Sequence, residues 1–196
     1  WSPETPHLYK LYVKITKNGK LIDDIAYDIG LRDIRTSTVK GKPGIFLNGM
    51  RYELKGVEYI EDYEGMGQTL TAERFEKDIM MMKVLGVNLI RYKFGIPHPY
   101  LVNLCNKYGI MLFVELPVYN IPAPILALDE IKVRMQNNAE RILMNFDSHP
   151  SVIAWGLASG VLENTPEFQN YSSHLAGIFR QSSEKMIYKE TFLGSQ

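Results

Sequence analysis

The sequence has a single cysteine, Cys105, and no excess charge of either sign. A lone cysteine excludes an intrachain disulfide and leaves the redox compartment open. Lys plus Arg and Asp plus Glu both number 22, so the formal net charge at pH 7 is zero and the pI is about 7.1. Nucleic acid and anionic membrane surfaces select basic partners, so neither is expected here. Lys10, Lys14, Lys17 and Lys20 fall on an apparent hairpin and read as a solvated strand face rather than a phosphate-binding patch. Apolar runs such as "GIMLFV" fall far short of the about 18 residues a membrane span needs. No targeting segment is visible and the chain starts on Trp1, so localisation stays open.

Chemistry-bearing motifs are also scarce. The four histidines, at 7, 98, 149 and 174, lack ligand spacing, so no metal site is expected. "GMGQTL", residues 65–70, is neither a dinucleotide fingerprint nor a P-loop, and no cofactor is expected. There is no G-x-S-x-G elbow, and no Ser or Cys has a His and Asp following in a known order.

What the sequence does hold is a change of rhythm near residue 54. Before it, "LYVKIT" and "IAYDIGL" alternate around Asn18-Gly19, placing Leu11, Val13 and Ile15 on one face and Ile25, Tyr27, Ile29 and Leu31 on another. A second hairpin pivots on Asn48-Gly49 in "GIFLNGMRYEL". After it, short apolar strands alternate with helices. The strands are "LKGVEY", "VNLIR", "IMLFVEL", "SVIAWGL" and "KMIYKE". Thr71 is placed to cap a helix whose Phe75, Ile79 and Met82 share a face, with Gly86 to close it. A second helix ends at Gly109, a third spans about 128–146, and Thr165-Pro166-Glu167 opens a fourth. "LPVYNIPAP" reads as a rigid connection able to shape a pocket. Repeated β-α units predict parallel strands, in an open doubly wound sheet or a barrel.

In a barrel, side chains at the C-terminal strand ends face the active site. Those ends carry Glu58, Glu61 and Asp62, then Arg91 and Lys93, then Glu115, then Trp155, Ser159 and Gly160, and finally Glu190. Glu115 closes an apolar run and either pairs with a cation such as Arg91 or serves a sugar hydroxyl or catalysis. Trp155 is either core or a sugar-stacking platform. Glu163 is a helix-entry surface residue or a displaced acid. Cys105, amid Leu101, Leu104 and Tyr108, reads as a small core residue.

These segments resemble glycoside hydrolase family 2, the β-galactosidase, β-glucuronidase and β-mannosidase family. "WSPETPHLYKL" and "DIGLRDI" resemble the closing motifs of its β-sandwich. "FLNGMRYELKGVEY" resembles the entry to its barrel, and "DIMMMKVLGVNLIRYKFGIPHP" its "D…mK..g.NavRtsHyPp" signature. "LCNKYGIMLFVELP" matches the next strand with a terminal Glu, and "NFDSHPSVIAWGLASG" overlays "rnHPSvi.WslgNE". The resemblance implies an α/β fold: a partial (β/α) TIM barrel of about five β-α units preceded by antiparallel β-sandwich strands. It implies residues 1–40 as terminal strands of an immunoglobulin-like β-sandwich and 41–196 as the N-terminal part of the barrel.

The family hydrolyses β-glycosides with retention, using two Glu carboxyls roughly 5 Å apart. Arg91, Glu115, His149, Pro150 and Trp155 match family positions. The departures fall where the chemistry belongs: Glu58 replaces an Asn, Ile60 and Phe94 each replace a His, and Ser159-Gly160 replaces the Asn-Glu pair holding the acid/base. Glycine donates no proton, and no strand with the nucleophile is expected in this chain. The expected function is therefore a catalytically degenerate family 2 β-glycosidase-like domain with no catalytic residue of its own. Arg91, Glu115, Asn120, Trp155 and Ser159 are its candidate sugar contacts, and carbohydrate its candidate partner. Two alternatives stand: a fragment of an active retaining β-galactosidase-like hydrolase, or a structural interaction domain without sugar affinity. Five strands cannot close a barrel, so either self-association, further strands from a longer parent, or cover by the C-terminal segment is expected.

Overall fold

The computed structural model describes residues 1–192. Strands β1 (Tyr9–Lys17) and β2 (Lys20–Ile29) pair antiparallel through Asn18 and Gly19, whose φ values of 51° and 77° are the positive pair a type I′ turn requires. Leu11 lies opposite Tyr27 and Val13 opposite Ile25, so the alternation does gather apolar side chains on one face. That face is exposed rather than packed. Next comes an antiparallel sheet of β3 (Ile34–Val39), β4 (Lys42–Leu47) and β5 (Met50–Tyr52). Its second turn is the expected Asn48-Gly49. Its first, Lys40-Gly41, has no sequence signature, because a lysine at φ 51° is not a turn residue by preference.

The parallel strands are β6 (Gly56–Ile60), β7 (Leu89–Lys93), β8 (Met111–Glu115), β9 (Val152–Gly156) and, beyond the two-residue β10 (Val161–Leu162), β11 (Met186–Tyr188). They lie in the order β6-β7-β8-β9-β11, each beside its predecessor in the chain. A doubly wound sheet would reverse direction at a switch point. This one does not, so the winding is that of a partial barrel.

Helices α1 (Ala72–Val84), α2 (Pro99–Tyr108), α4 (Asp129–Phe146) and α5 (Pro166–Ser182) make the crossovers, with the one-turn α3 (Ala123–Leu126) ahead of α4. Their ends follow the sequence signals. The Thr71 hydroxyl accepts from Arg74 N at 3.2 Å, and Thr165 accepts from Phe168 N at 3.4 Å with Pro166 at the first position. Gly109 ends α2 at φ 71°, and a side chain there would collide with the Pro3 carbonyl. The α3 turn begins in the stretch that reads as a rigid connection, because prolines are tolerated in a helix's first turn.

Strand pleating splits the sheet into two faces. Ile90, Leu112, Val114, Val152 and Trp155 join Phe75, Ile79, Leu101, Cys105, Ile142 and Phe179 in the core between sheet and helices. The other face starts with an apolar layer, where Leu89, Met111 and Ile153 pack with Trp1, Phe113 and Met186. Trp1 is fixed by its indole Nε1, which donates to Asn106 O at 2.8 Å. Short β12 (Thr191–Phe192) pairs parallel with β10. The C-terminal segment through Phe192 thus covers neither outer edge strand, and residues 193–196 lie outside the described part. Among the described residues no helix is long and apolar enough to cross a membrane.

Candidate functional site

The pleat that puts Leu89 and Met111 in the lower layer carries Arg91, Lys93 and Glu115 above them on the same face. Arg91 is the hub. Its Nη2 lies 2.7 Å from Glu115 Oε2, 2.6 Å from Glu190 Oε2 and 2.6 Å from Ser159 Oγ, and its Nη1 lies 3.3 Å from Glu58 Oε1. Glu115 is fully buried and accepts also from the Tyr188 hydroxyl at 2.9 Å and from the Ser159 hydroxyl. Lys93 Nζ pairs with Glu58 at 2.7 Å and Glu190 at 3.3 Å. Five strand ends thereby converge on one polar cluster above an apolar floor.

Burial opposes the charge of Arg91, but hydrogen bonds to Glu115 and Glu190 outweigh it and raise its pKa. Burial likewise opposes Lys93, and Glu58 and Glu190 more than compensate. The bond from Arg91 holds Glu190 below the usual carboxylate range. Burial, then Glu115, pushes the Tyr188 hydroxyl up, so it remains a donor. Gly156, opposite Glu115 in the ladder, leaves the room this needs: a Cβ there would stand 2.6 Å from the Tyr188 ring and 2.7 Å from Glu115 Cγ.

Of the five candidate sugar contacts, Arg91, Glu115 and Ser159 meet directly. Asn120 joins through its backbone, donating to Ser159 O at 3.0 Å while its side chain is exposed. Trp155 is a correction. Its side chain points to the helices, fully buried, with its ring stacked on Phe179 at 5.5 Å and Nε1 donating to Ser183 at 3.1 Å. It therefore offers no face to a ligand. The ladder explains this: Trp155 pairs with Val114 and Ile187, whereas Glu115 pairs with Gly156. Tyr188 is the residue the strand-end reading passed over. Its alternation with Met186 on one strand was the available signal.

Gly160 is buried at φ 62°, a conformation side chains rarely adopt. A Cβ there would be in ordinary contact with Tyr119 at 3.4 Å and Phe192 at 3.5 Å, so the obstacle to a side chain is backbone and not space. Phe94 packs on Tyr119, ring centres 4.4 Å apart, forming an aromatic rim beside the cluster. Glu163 is ion-paired to Lys189 at 2.8 Å and bonded by Thr191 at 3.0 Å, which lowers its pKa and suits an ionised surface group better than an acid. Among the described residues no His, Cys, Asp and Glu group is arranged to hold a metal ion.

A cavity of about 580 Å³ lies at the opposite end of the strands, lined among others by Arg32, Asp147, Arg180 and Lys185. Two of its cations are already engaged. Arg32 donates to Pro150 O and Val152 O at 2.5 and 2.6 Å, with burial lowering its pKa to about 10, and Lys185 pairs with Asp147 at 2.9 Å. This end ties the barrel to the preceding strands, as expected of a barrel's stability face.

Two family models match the chain. The family model described as "Glycosyl hydrolases family 2, TIM barrel domain" matches residues 38–184, and that described as "Glycosyl hydrolases family 2" matches residues 1–32. A β-glucuronidase of Bacteroides fragilis is 29% identical over 182 residues, covering 91% of this chain and 26% of that protein. A β-galactosidase of Pectobacterium atrosepticum is 29% identical over 164 residues, covering 81% and 15%. The crystal structure of a GH2 β-galacturonidase from Eisenbergiella tayi bound to galacturonate superposes with a TM-score of 0.90 at 24% identity, over 96% of this chain and 33% of that one. The chain spans 26% or less of the length of these curated relatives.

Proposed function

The chain belongs to glycosyl hydrolases family 2, and from that premise we propose that it is a β-glycoside-recognising module that binds carbohydrate at the polar cluster without hydrolysing it unaided. In this reading residues 1–40 are terminal strands of the β-sandwich and 41–196 the first part of the barrel. The observation that carries it is Gly160, which stands where the resemblance of "HPSVIAWGLASG" to the family motif implies the acid/base Glu and has a backbone suited to glycine. The nearby carboxylates are held as acceptors: Glu115 by Arg91, Ser159 and Tyr188, and Glu190 by Arg91 and Lys93. Loss of a general acid costs about 10²–10⁴-fold in rate.

A second reading, a fragment of an active retaining hydrolase, is favoured by one feature. Among the described residues β6 and β11 are each paired on one side only, so further strands, one with a nucleophile, have edges to join. We infer that these edges associate, with strands of a longer parent or with a second copy. A strictly monomeric chain whose edge amides are protected from exchange would refute this.

The test is hydrolysis of aryl β-galactosides, β-glucuronides and β-mannosides, with binding of the same sugars measured by calorimetry. We expect binding without turnover, and no turnover from Gly160→Glu. Turnover abolished by Glu163→Gln but indifferent to changes at Ser159 would overturn the reading. Absence of binding to all of these sugars would favour a purely structural domain.

A further inference from the structure

The cluster presents its charges unequally to solvent. Its cations are the inner groups, with the side chains of Arg91 18% and Lys93 7% exposed. Of its carboxylates, Glu58 is 53% and Glu190 41% exposed, and only Glu115 is wholly inside. The balance is also negative, three carboxylates to two cations, and each cation already serves at least two of them. Arg91 Nη2, with two protons, faces three oxygen acceptors. A ligand arriving from solvent therefore meets the more exposed carboxylate oxygens first, with both cations set further in and already paired to carboxylates.

Resting on the carbohydrate-binding reading above, we infer that this site selects β-pyranosides through donor groups, hydroxyls or a protonated amine, and discriminates against uronates. Glu58 and Glu190 accept from the sugar, and the Phe94–Tyr119 pair, with Tyr119 54% exposed, offers its apolar ring face a surface. A sugar carboxylate in the same place would lie against two like charges, with the cations behind them.

Two of the similar proteins, a β-glucuronidase and a β-galacturonidase, are named for uronates, which makes the contrast worth measuring on this chain itself. Methyl β-glycosides of galactose, galactosamine and galacturonic acid are titrated into the protein at about 20 mM salt, with ligand-observed NMR as the readout. A partly exposed charge pair is worth about a two- to five-fold change in affinity, so the amino sugar should bind about that much tighter than the neutral one, and the uronate weaker than both. The spread should close at about 1 M salt, where the Debye length is about 3 Å. Glu190→Gln, conservative in shape, should erode the amine preference and improve the uronate by freeing one acceptor's claim on Arg91. Uronate binding tighter than the neutral sugar, or a ranking insensitive to salt and to Glu190→Gln, would overturn the inference while leaving carbohydrate binding intact. Failure of all three sugars to bind would instead refute the carbohydrate-binding reading, and the inference with it.

Discussion

Removing Arg91 should cost more stability than removing Arg91 and Glu115 together. In Arg91→Met, Glu115 stays fully buried and loses its cation, retaining the Ser159 and Tyr188 hydroxyls as donors. Breaking a buried ion pair from one side costs about 3–5 kcal/mol. The two remaining donors, and relief for Glu190 and Glu58 near solvent, place this case at the low end, about 3 kcal/mol. At about 2–4 °C per kcal/mol for a chain of this size, the midpoint falls by about 6–12 °C. The double variant Arg91→Met/Glu115→Leu removes both charges and leaves two hydroxyls and two exposed carboxylates, so it should recover part of the loss, with a coupling of about 1–3 kcal/mol. Urea denaturation followed by the fluorescence of the two buried tryptophans, Trp1 and Trp155, reports both values. A cost for Arg91→Met under about 1 kcal/mol, or strictly additive single and double variants, would refute the view that Glu115 is held inside by Arg91.

Gly156→Ala should be disruptive despite its size, since the added methyl meets Tyr188 and Glu115 at 2.6–2.7 Å. We expect about 1–3 kcal/mol of overpacking, checked by denaturation, and no such loss at Gly177 in α5, where a Cβ meets nothing within 4 Å. His149 is kept neutral by burial, which lowers its pKa, and its Nδ1 lies 2.6 Å from the Asn106 amide. Its folded pKa lies below the unfolded one near 6.5, so the unfolded state takes the proton first, and stability should fall as pH drops from about 6.5. The slope of stability against pH between 6.5 and 5 should flatten in His149→Gln. Glu190 acts in the same direction at lower pH: its depressed pKa gives stability above the unfolded carboxylate range that is lost as pH falls through the folded value.

Much of this architecture was legible because local chemistry and tertiary context agree. Thr71, Thr165-Pro166 and Gly109 delimit helices by satisfying backbone groups locally, and Asn18-Gly19 and Asn48-Gly49 form turns by tolerating positive φ. The convergence of Arg91, Glu115 and Ser159 followed from barrel geometry, since strand ends share one mouth. Trp155 resisted because residue type does not say which side of a pleat a side chain takes. That depends on register with β8, where a shift falls between Leu112 and Phe113. The exposure of the β1–β2 apolar face was equally invisible, for alternation tells which residues share a face and not what covers it.

The order β6-β7-β8-β9-β11 has one more consequence. Each β-α unit touches chiefly the unit before it and the unit after it, so the half-barrel is bound together by nearest-neighbour interfaces, as in a linear repeat array. Such an array loses one neighbour interface with each end unit removed, and here the first loss also opens the Arg91 hub, to which Glu190 and Tyr188 contribute from the β11 end. Successive units deleted from the β11 side should therefore lower stability in increments, and the Arg91 hub, which spans five strands, is what would make the first increment the largest.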